Sequence, residues 1–205
     1  MRLRLLCCIL VLSASLPAAA GEFSTPTARV KDSVDRVIAI LKDSSLDQDS
    51  KWRRIALVID DGFDFRSMSQ SVLATRWQDA SPAERQQFVQ FFSQYIEEVY
   101  RSKIEAYTDQ RVVYSDEVIH GDRAVVKTRI VTSKTQIPID FKLKNNGGEW
   151  YAYDVAIEGV SLVSNYRSTF AVIAKDDGMD GLLENIRERI TRYKRQYGEL
   201  PPPGT

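Results

Sequence analysis

Near residue 109 the spacing of apolar side chains changes from three-and-four to strict alternation, and that switch limits the architecture more than any other feature. A 3.6-residue period gives one apolar stripe along a helix, whereas a two-residue period gives one face of a strand. Ahead of the switch, Thr25-Pro26 reads as an N-cap followed by a first-turn proline. Val30, Val34, Val37, Ile38 and Leu41 then predict a helix ending near Asp43. Trp52, Ile55, Ala56 and Ile59 predict a second helix, stopping at Gly62, and Asp64 can cap a third carrying Phe65, Met68, Val72 and Leu73. Ser81-Pro82-Ala83-Glu84 is a capping box with proline in the first helical position. From it runs a wide, aromatic stripe of Phe88, Phe91, Phe92, Tyr95, Val99, Ile104 and Tyr107.

Beyond the switch, Val112, Tyr114 and Val118 predict a strand that turns at His120-Gly121-Asp122. Ala124, Val126, Thr128 and Ile130 alternate along a second strand, and Ile137, Ile139, Phe141 and Leu143 along a third. A two-residue loop at Ser133-Lys134 would set Ile130 opposite Ile137 and Val126 opposite Phe141, with both apolar rows on one face. A fourth strand, 150–157, follows Asn145-Asn146-Gly147-Gly148 and is apolar on both sides. An even loop puts Trp150, Ala152 and Asp154 with the apolar row. An odd loop, with a glycine in a bulge, puts Tyr151, Tyr153, Val155 and Ile157 there and keeps Asp154 off Ile139, which favours it. Helical spacing resumes at Ser161 through Leu162, Tyr166 and Phe170, breaks at Gly178, and returns at Leu182, Leu183, Ile186 and Ile190. Helices, a meander and helices again predict an α+β fold, with helices on one face of a twisted four-stranded antiparallel sheet.

Arg2 and Arg4, the apolar run from Leu5 to Leu12 and Ala18-Ala19-Ala20 read as a secretory signal over residues 1–20. The run is too short to span a bilayer. Residues 21–197 then form a single domain and residues 198–205, rich in proline, a disordered tail. Cys7 and Cys8 leave with the signal, so the mature chain offers no thiol, disulfide or cysteine-based metal site in an oxidising compartment. Without Arg2 and Arg4 the balance is 26 basic against 28 acidic residues. A chain so balanced lacks the basic face that nucleic acid demands, and bulk charge does not select its partner.

No catalytic constellation emerges. His120 is the single histidine and sits in a turn beside Gly121. Asp60-Asp61 and Asp176-Asp177 are adjacent pairs, so on a helix their side chains diverge and read as surface charges at helix ends. There is no Gly-x-Ser-x-Gly elbow, phosphate-cradling glycine loop or metal-ligand spacing. The chain is therefore expected not to be an enzyme and to carry no cofactor.

Several segments resemble one family. Phe63-Asp64-Phe65, Met68-Ser69, Val72-Leu73, Trp77, Phe88, Phe91-Phe92 and Tyr100 are similar to the helical part of the MlaC, or toluene-tolerance, family. The more specific match is Trp150, Tyr153-Asp154-Val155, residues 157–163, Asn165-Tyr166-Arg167 and Phe170. Ala74 departs from a glycine common at that place. The resemblance, over about residues 27–195, implies a periplasmic phospholipid-binding component of the Mla system, which maintains outer-membrane lipid asymmetry. It implies an NTF2-like arrangement with a lipid cavity between the layers, and bound phospholipid as cargo. The implied partners are an outer-membrane lipoprotein–porin complex and an inner-membrane ABC transporter bearing an MCE-domain protein. A monomer is expected.

Two acyl chains of roughly 14–16 methylenes, at about 0.8 kcal/mol each, represent a gross transfer term on the order of 20–25 kcal/mol. Extraction from a membrane takes less than that, but it demands an enclosed apolar space with the head group left in water. On the long helix, Phe91, Tyr95 and Val99 are the candidates to line such a space. Over them the sheet would set Val126, Thr128, Ile130, Ile137, Ile139, Phe141, Tyr153 and Val155, joined by Tyr166 and Phe170. Arg167 is a candidate contact for a head group or a partner carboxylate, with a structural salt bridge as its alternative. Another apolar lipid, such as a hopanoid or isoprenoid, and a protein-interaction module without cargo are the competing expectations.

Overall fold

A computed structural model of the protein describes residues 25–107 and 109–199; the signal segment expected over residues 1–20 and most of the tail expected over 198–205 lie outside the described residues. The elements are α1 (Pro26–Lys42), α2 (Gln48–Gly62), α3 (Phe65–Leu73), α4 (Arg76–Asp79) and α5 (Pro82–Glu105). There follow β1 (Arg111–His120), β2 (Arg123–Val131), β3 (Gln136–Asn146), β4 (Glu149–Ile157), β5 (Val160–Ser161), α6 (Leu162–Asp176) and α7 (Gly178–Glu199). Side-chain caps start five of the helices. Thr25, Asp47, Asp64, Ser81 and Ser161 each accept from a backbone N–H three residues on. Glu84 completes the capping box of α5 by accepting from Ser81 N at 2.7 Å.

The end of α3 carries an alanine in a strained conformation. Ala74 has φ 52° and ψ −122°, a conformation that glycine adopts freely and a Cβ resists. Around it, Ala74 N donates to Gln70 O (3.0 Å) and Arg167 Nε to Ser71 O (2.8 Å), closing off the last turn. Relief of the strain outweighs glycine's added chain entropy, so Ala74→Gly is expected to stabilise the fold by about 1 kcal/mol. The urea midpoint should rise at unchanged slope; a lower midpoint would refute the strain.

The sheet is an antiparallel meander in the order β1-β2-β3-β4-β5. It has five strands where four were expected, because the chain turns at Glu158-Gly159 and pairs Val160-Ser161 back onto Ile157-Ala156 before entering α6. The β2–β3 register is as anticipated, with Ile130 opposite Ile137 and Val126 opposite Phe141. The β3–β4 loop is even: Asn146 faces Glu149 across Gly147 and Gly148, both at positive φ. The bulge lies inside β4 instead. Leu143 pairs with Ala152 and Lys142 with Asp154, so Tyr153 is the extra residue. Trp150 and Ala152 face inward on one side of the bulge, and Val155 and Ile157 on the other. The expectation that Tyr153 points inward is thereby corrected: its ring lies 4.8 Å from the Arg123 guanidinium, on the face away from Val155. A second bulge, at Ser115 in β1, turns Val112, Tyr114 and Glu117 inward and Val118 outward.

Both buried clusters draw on this inward face. One joins Val30 of α1 to Ala124, Val126, Leu143, Trp150 and Ala152 at one end of the sheet. The larger one gathers α3, α5, α6 and α7 and takes in Val155. Half-buried Phe63 and Phe141 touch both clusters. The edge of β4 beyond the β5 pairing is covered by Phe63, which bridges to Ala152, and by Asp64 N donating to Ala152 O at 2.8 Å.

Candidate functional site

The long aromatic helix does not lie flat across the sheet, as its stripe suggested; α5 packs on α7, α3 and α2. Its inner rings are consumed there. Phe92 and Tyr95 each stand 5.6 Å, edge-on, from Tyr166, and Phe88 stands 6.0 Å from Phe170. Three of the residues read as pocket lining, Tyr95, Tyr166 and Phe170, are therefore buried in an aromatic group between helices. Burial raises the Tyr166 hydroxyl pKa well above its ordinary value. Phe91 and Val99 lie at the margin of the same cluster and remain half-buried.

On the sheet the predicted row divides in two. Val126 and Thr128 are buried, Thr128 Oγ1 donating to Ile139 O at 2.8 Å, and Val155 is buried in the helical cluster. Ile130, Ile137, Ile139 and Phe141 face the helices and yet keep accessible surface, as does Ile157 beside Ile139. Ile130 and Ile137 belong to neither cluster. An inward-facing aliphatic side chain that retains accessible surface is not fully covered by its neighbours. The accessible part of the row thus runs along the ends of β2, β3 and β4 away from α1, and half-buried Ile59, Phe63, Val99 and Tyr100 pack against the same cluster as Ile139, Phe141 and Ile157. Ile59, Phe63, Tyr100 and Ile157 were absent from the predicted lining. Phe63 carried a signal, since an aromatic residue just after a helix-ending glycine has no helical face to serve.

The polar candidates are engaged structurally. Arg167 is exposed but holds the Ser71 carbonyl, so it joins α6 to the end of α3. Asp61 ties α2 to α1 through Arg29 (3.2 Å) and Arg36 (3.0 Å); partial desolvation pushes its carboxyl up, but the two guanidinium groups hold it below the usual range. Glu117 accepts from Thr27 N at the first turn of α1 (2.7 Å). His120 is exposed at the β1–β2 turn. Among the described residues no group of three or more His, Cys, Asp or Glu is placed to hold a metal ion, and no helix is long and apolar enough to cross a membrane.

Comparison with known proteins adds three relationships. The sequence profile of the MlaC protein family matches residues 31–188. The intermembrane phospholipid transport system binding protein MlaC of Haemophilus influenzae is 25% identical over 127 residues, 59% of each chain, so the match spans less than two thirds of that relative. Toluene tolerance protein ttg2D of Pseudomonas putida is 22% identical over 202 residues, 94% of each chain. A phospholipid-binding protein from Ralstonia solanacearum, solved in complex with a phospholipid, superposes with a TM-score of 0.74 at 24% identity, over 82% of this chain and 97% of that one. At that identity the likeness establishes the mixed α+β fold.

Proposed function

This chain belongs to the MlaC protein family, and on that footing we propose that it is a periplasmic phospholipid carrier that holds acyl chains over the open end of an NTF2-like sheet. The observation that carries the proposal is the row Ile130, Ile137, Ile139, Phe141 and Ile157, apolar, turned toward the helices and still accessible. Covering the row would be favourable, because each half-buried apolar side chain forgoes part of the about 1.5–3 kcal/mol that full burial gives. Acyl methylenes laid along it would recover that burial, with the head group left in water. The phospholipid-transport names of the relatives point the same way. In this reading the chain performs no catalysis. It passes lipid between an outer-membrane lipoprotein–porin complex and an inner-membrane ABC transporter bearing an MCE-domain protein.

The test is denaturing mass spectrometry of protein purified without added lipid. A glycerophospholipid in near-stoichiometric amount is the expected result. A hopanoid or isoprenoid mass would change the cargo class, and protein that stays empty after incubation with phospholipid vesicles would end the carrier reading.

A further inference from the structure

The inward face of the sheet is sealed at one end and uncovered at the other. At the sealed end Ala124, Val126, Leu143 and Ala152 are buried in one cluster with Val30 of α1. Toward the β2–β3 hairpin the cover thins. Buried Thr128 pairs with half-buried Ile139, which pairs in turn with half-buried Ile157. The last inward row, Val112, Ile130 and Ile137, is half-buried throughout and belongs to neither cluster. This stretch is the floor available to acyl chains, and its uncovered end is the hairpin. The chemistry changes there at once. Arg111 pairs with Val131 across the β1–β2 ladder, one position past the last apolar row. Lys134 stands in the turn, whose backbone is fixed by Thr132. Thr132 N donates to Thr135 O (2.9 Å), and Thr132 Oγ1 accepts from Lys134 N (3.1 Å) and Thr135 N (2.9 Å). Arg129, between Val113 and Pro138, adds a third cation close by. All three are exposed, and among the described residues none makes an ion pair. The other cations of the sheet are engaged: Lys127 with Asp116 (3.2 Å), Lys142 with Asp154 (2.8 Å), Lys144 with Asp64 (2.7 Å) and Arg123 over the Tyr153 ring. The acids at the hairpin end are Asp109, two residues before Arg111, and Glu158, which lies beyond β4 with its N–H on Pro138 O.

We propose that the hairpin end of the sheet is a phosphate-binding site: the cargo lies with its tails along the floor toward Phe141 and its phosphodiester between Arg111 and Lys134. The proposal rests on the carrier reading and adds to it the orientation of the lipid and the side chains that fix it. The orientation follows from desolvation. A phosphodiester stripped of water and left without partners is strongly disfavoured, so it does not enter the apolar end among Val30, Leu143 and Ala152. Tails that enter past the hairpin leave it at the mouth, where water and two cations meet it. The Arg111 guanidinium offers paired N–H donors to phosphate oxygens, and the Lys134 ammonium offers a compact charge. Both are exposed, so in the empty protein water satisfies them and no counter-charge is needed. The contact reads the phosphodiester that glycerophospholipids share. It discriminates against a lipid with the same tails and no phosphate.

The test incubates the purified protein with an excess of detergent micelles carrying equal amounts of dioleoylphosphatidylglycerol and dioleoylglycerol, which share their tails. Mass spectrometry of the re-isolated protein gives the ratio of the two lipids bound. The parent should favour the phospholipid, and the double variant Arg111→Gln, Lys134→Gln should lose about tenfold of that preference. A control pair, Arg54→Gln with Arg123→Gln, removes the same charge from exposed positions elsewhere and should keep the parent's ratio. A ratio unchanged in the Arg111 and Lys134 variant overturns the site. An equal fall in the control pair overturns it too, because the preference would then follow net charge. Parent protein that takes up both lipids without discrimination sinks this inference alone, whereas parent protein that takes up neither sinks the carrier reading and this inference with it.

Discussion

Replacing Ile139 with aspartate is expected to empty the protein of phospholipid while leaving it folded. Ile139 lies mid-sheet on the inward face, between Thr128 of β2 and Ile157 of β4. It is half-buried, so in the unloaded protein the new carboxylate can meet water. Acyl chains would exclude that water. The carboxylate must then hold its charge against hydrocarbon or take up a proton, and displacing its pKa by about 3 units costs about 4 kcal/mol. That is roughly a thousandfold in affinity. Lipid recovered per mole of protein should fall to background, with the far-UV circular dichroism unchanged. The same substitution at Val126, which has no accessible surface, should instead unfold the chain. Undiminished lipid in a folded Ile139→Asp protein would refute the assignment of the floor.

A second large effect concerns stability rather than cargo. Asp154 is 4% exposed and accepts from Ser161 Oγ at 2.7 Å, Val163 N at 3.1 Å and Lys142 Nζ at 2.8 Å. It thereby fastens the last long strand to the first turn of α6. Truncation by Asp154→Ala leaves a buried backbone N–H and a hydroxyl without their acceptor. The expected loss is about 3 kcal/mol, or roughly 6–12 °C in melting temperature for a domain of this size. Lys142 is 37% exposed, and solvent screening leaves its ion pair a small share of that loss. Asp154→Asn keeps an acceptor for Val163 N and should recover part of it. Calorimetry that finds the alanine variant within 1 °C of the parent would show that water replaces the carboxylate.

Local chemistry was readable in advance where one residue determines the outcome. Ser81, Glu84 and Pro82 define the start of α5, and the alternation of Ala124 to Ile130 against Ile137 to Leu143 sets a register that the structure reproduces. Asp154 shows the limit of the same reasoning. An odd loop was favoured to keep it out of the core, yet the loop is even. The bulge at Tyr153 puts Asp154 on the opposite face, where the start of α6 buries it. A bulge in mid-strand leaves no mark on a pattern that is apolar on both sides. Tertiary partners were likewise hidden. The stripe on α5 announced a buried face but not that Tyr166 and Phe170 of α6, rather than the sheet, would cover it. Phe63 was visible as a residue but not as the bridge to Ala152.

The outermost strand, β1, offers ten residues of backbone with no strand beside it on one side among the described residues, a length that would template stacking by another extended chain. The bulge at Ser115 breaks the run into two shorter stretches of different facing, and Asp116, paired with Lys127 at 3.2 Å, sets charge at the break. An incoming strand could align with one stretch only by losing alignment with the other. Fibrillar self-association is thus discouraged by geometry already present in the single chain, at no expense to the face that packs inward.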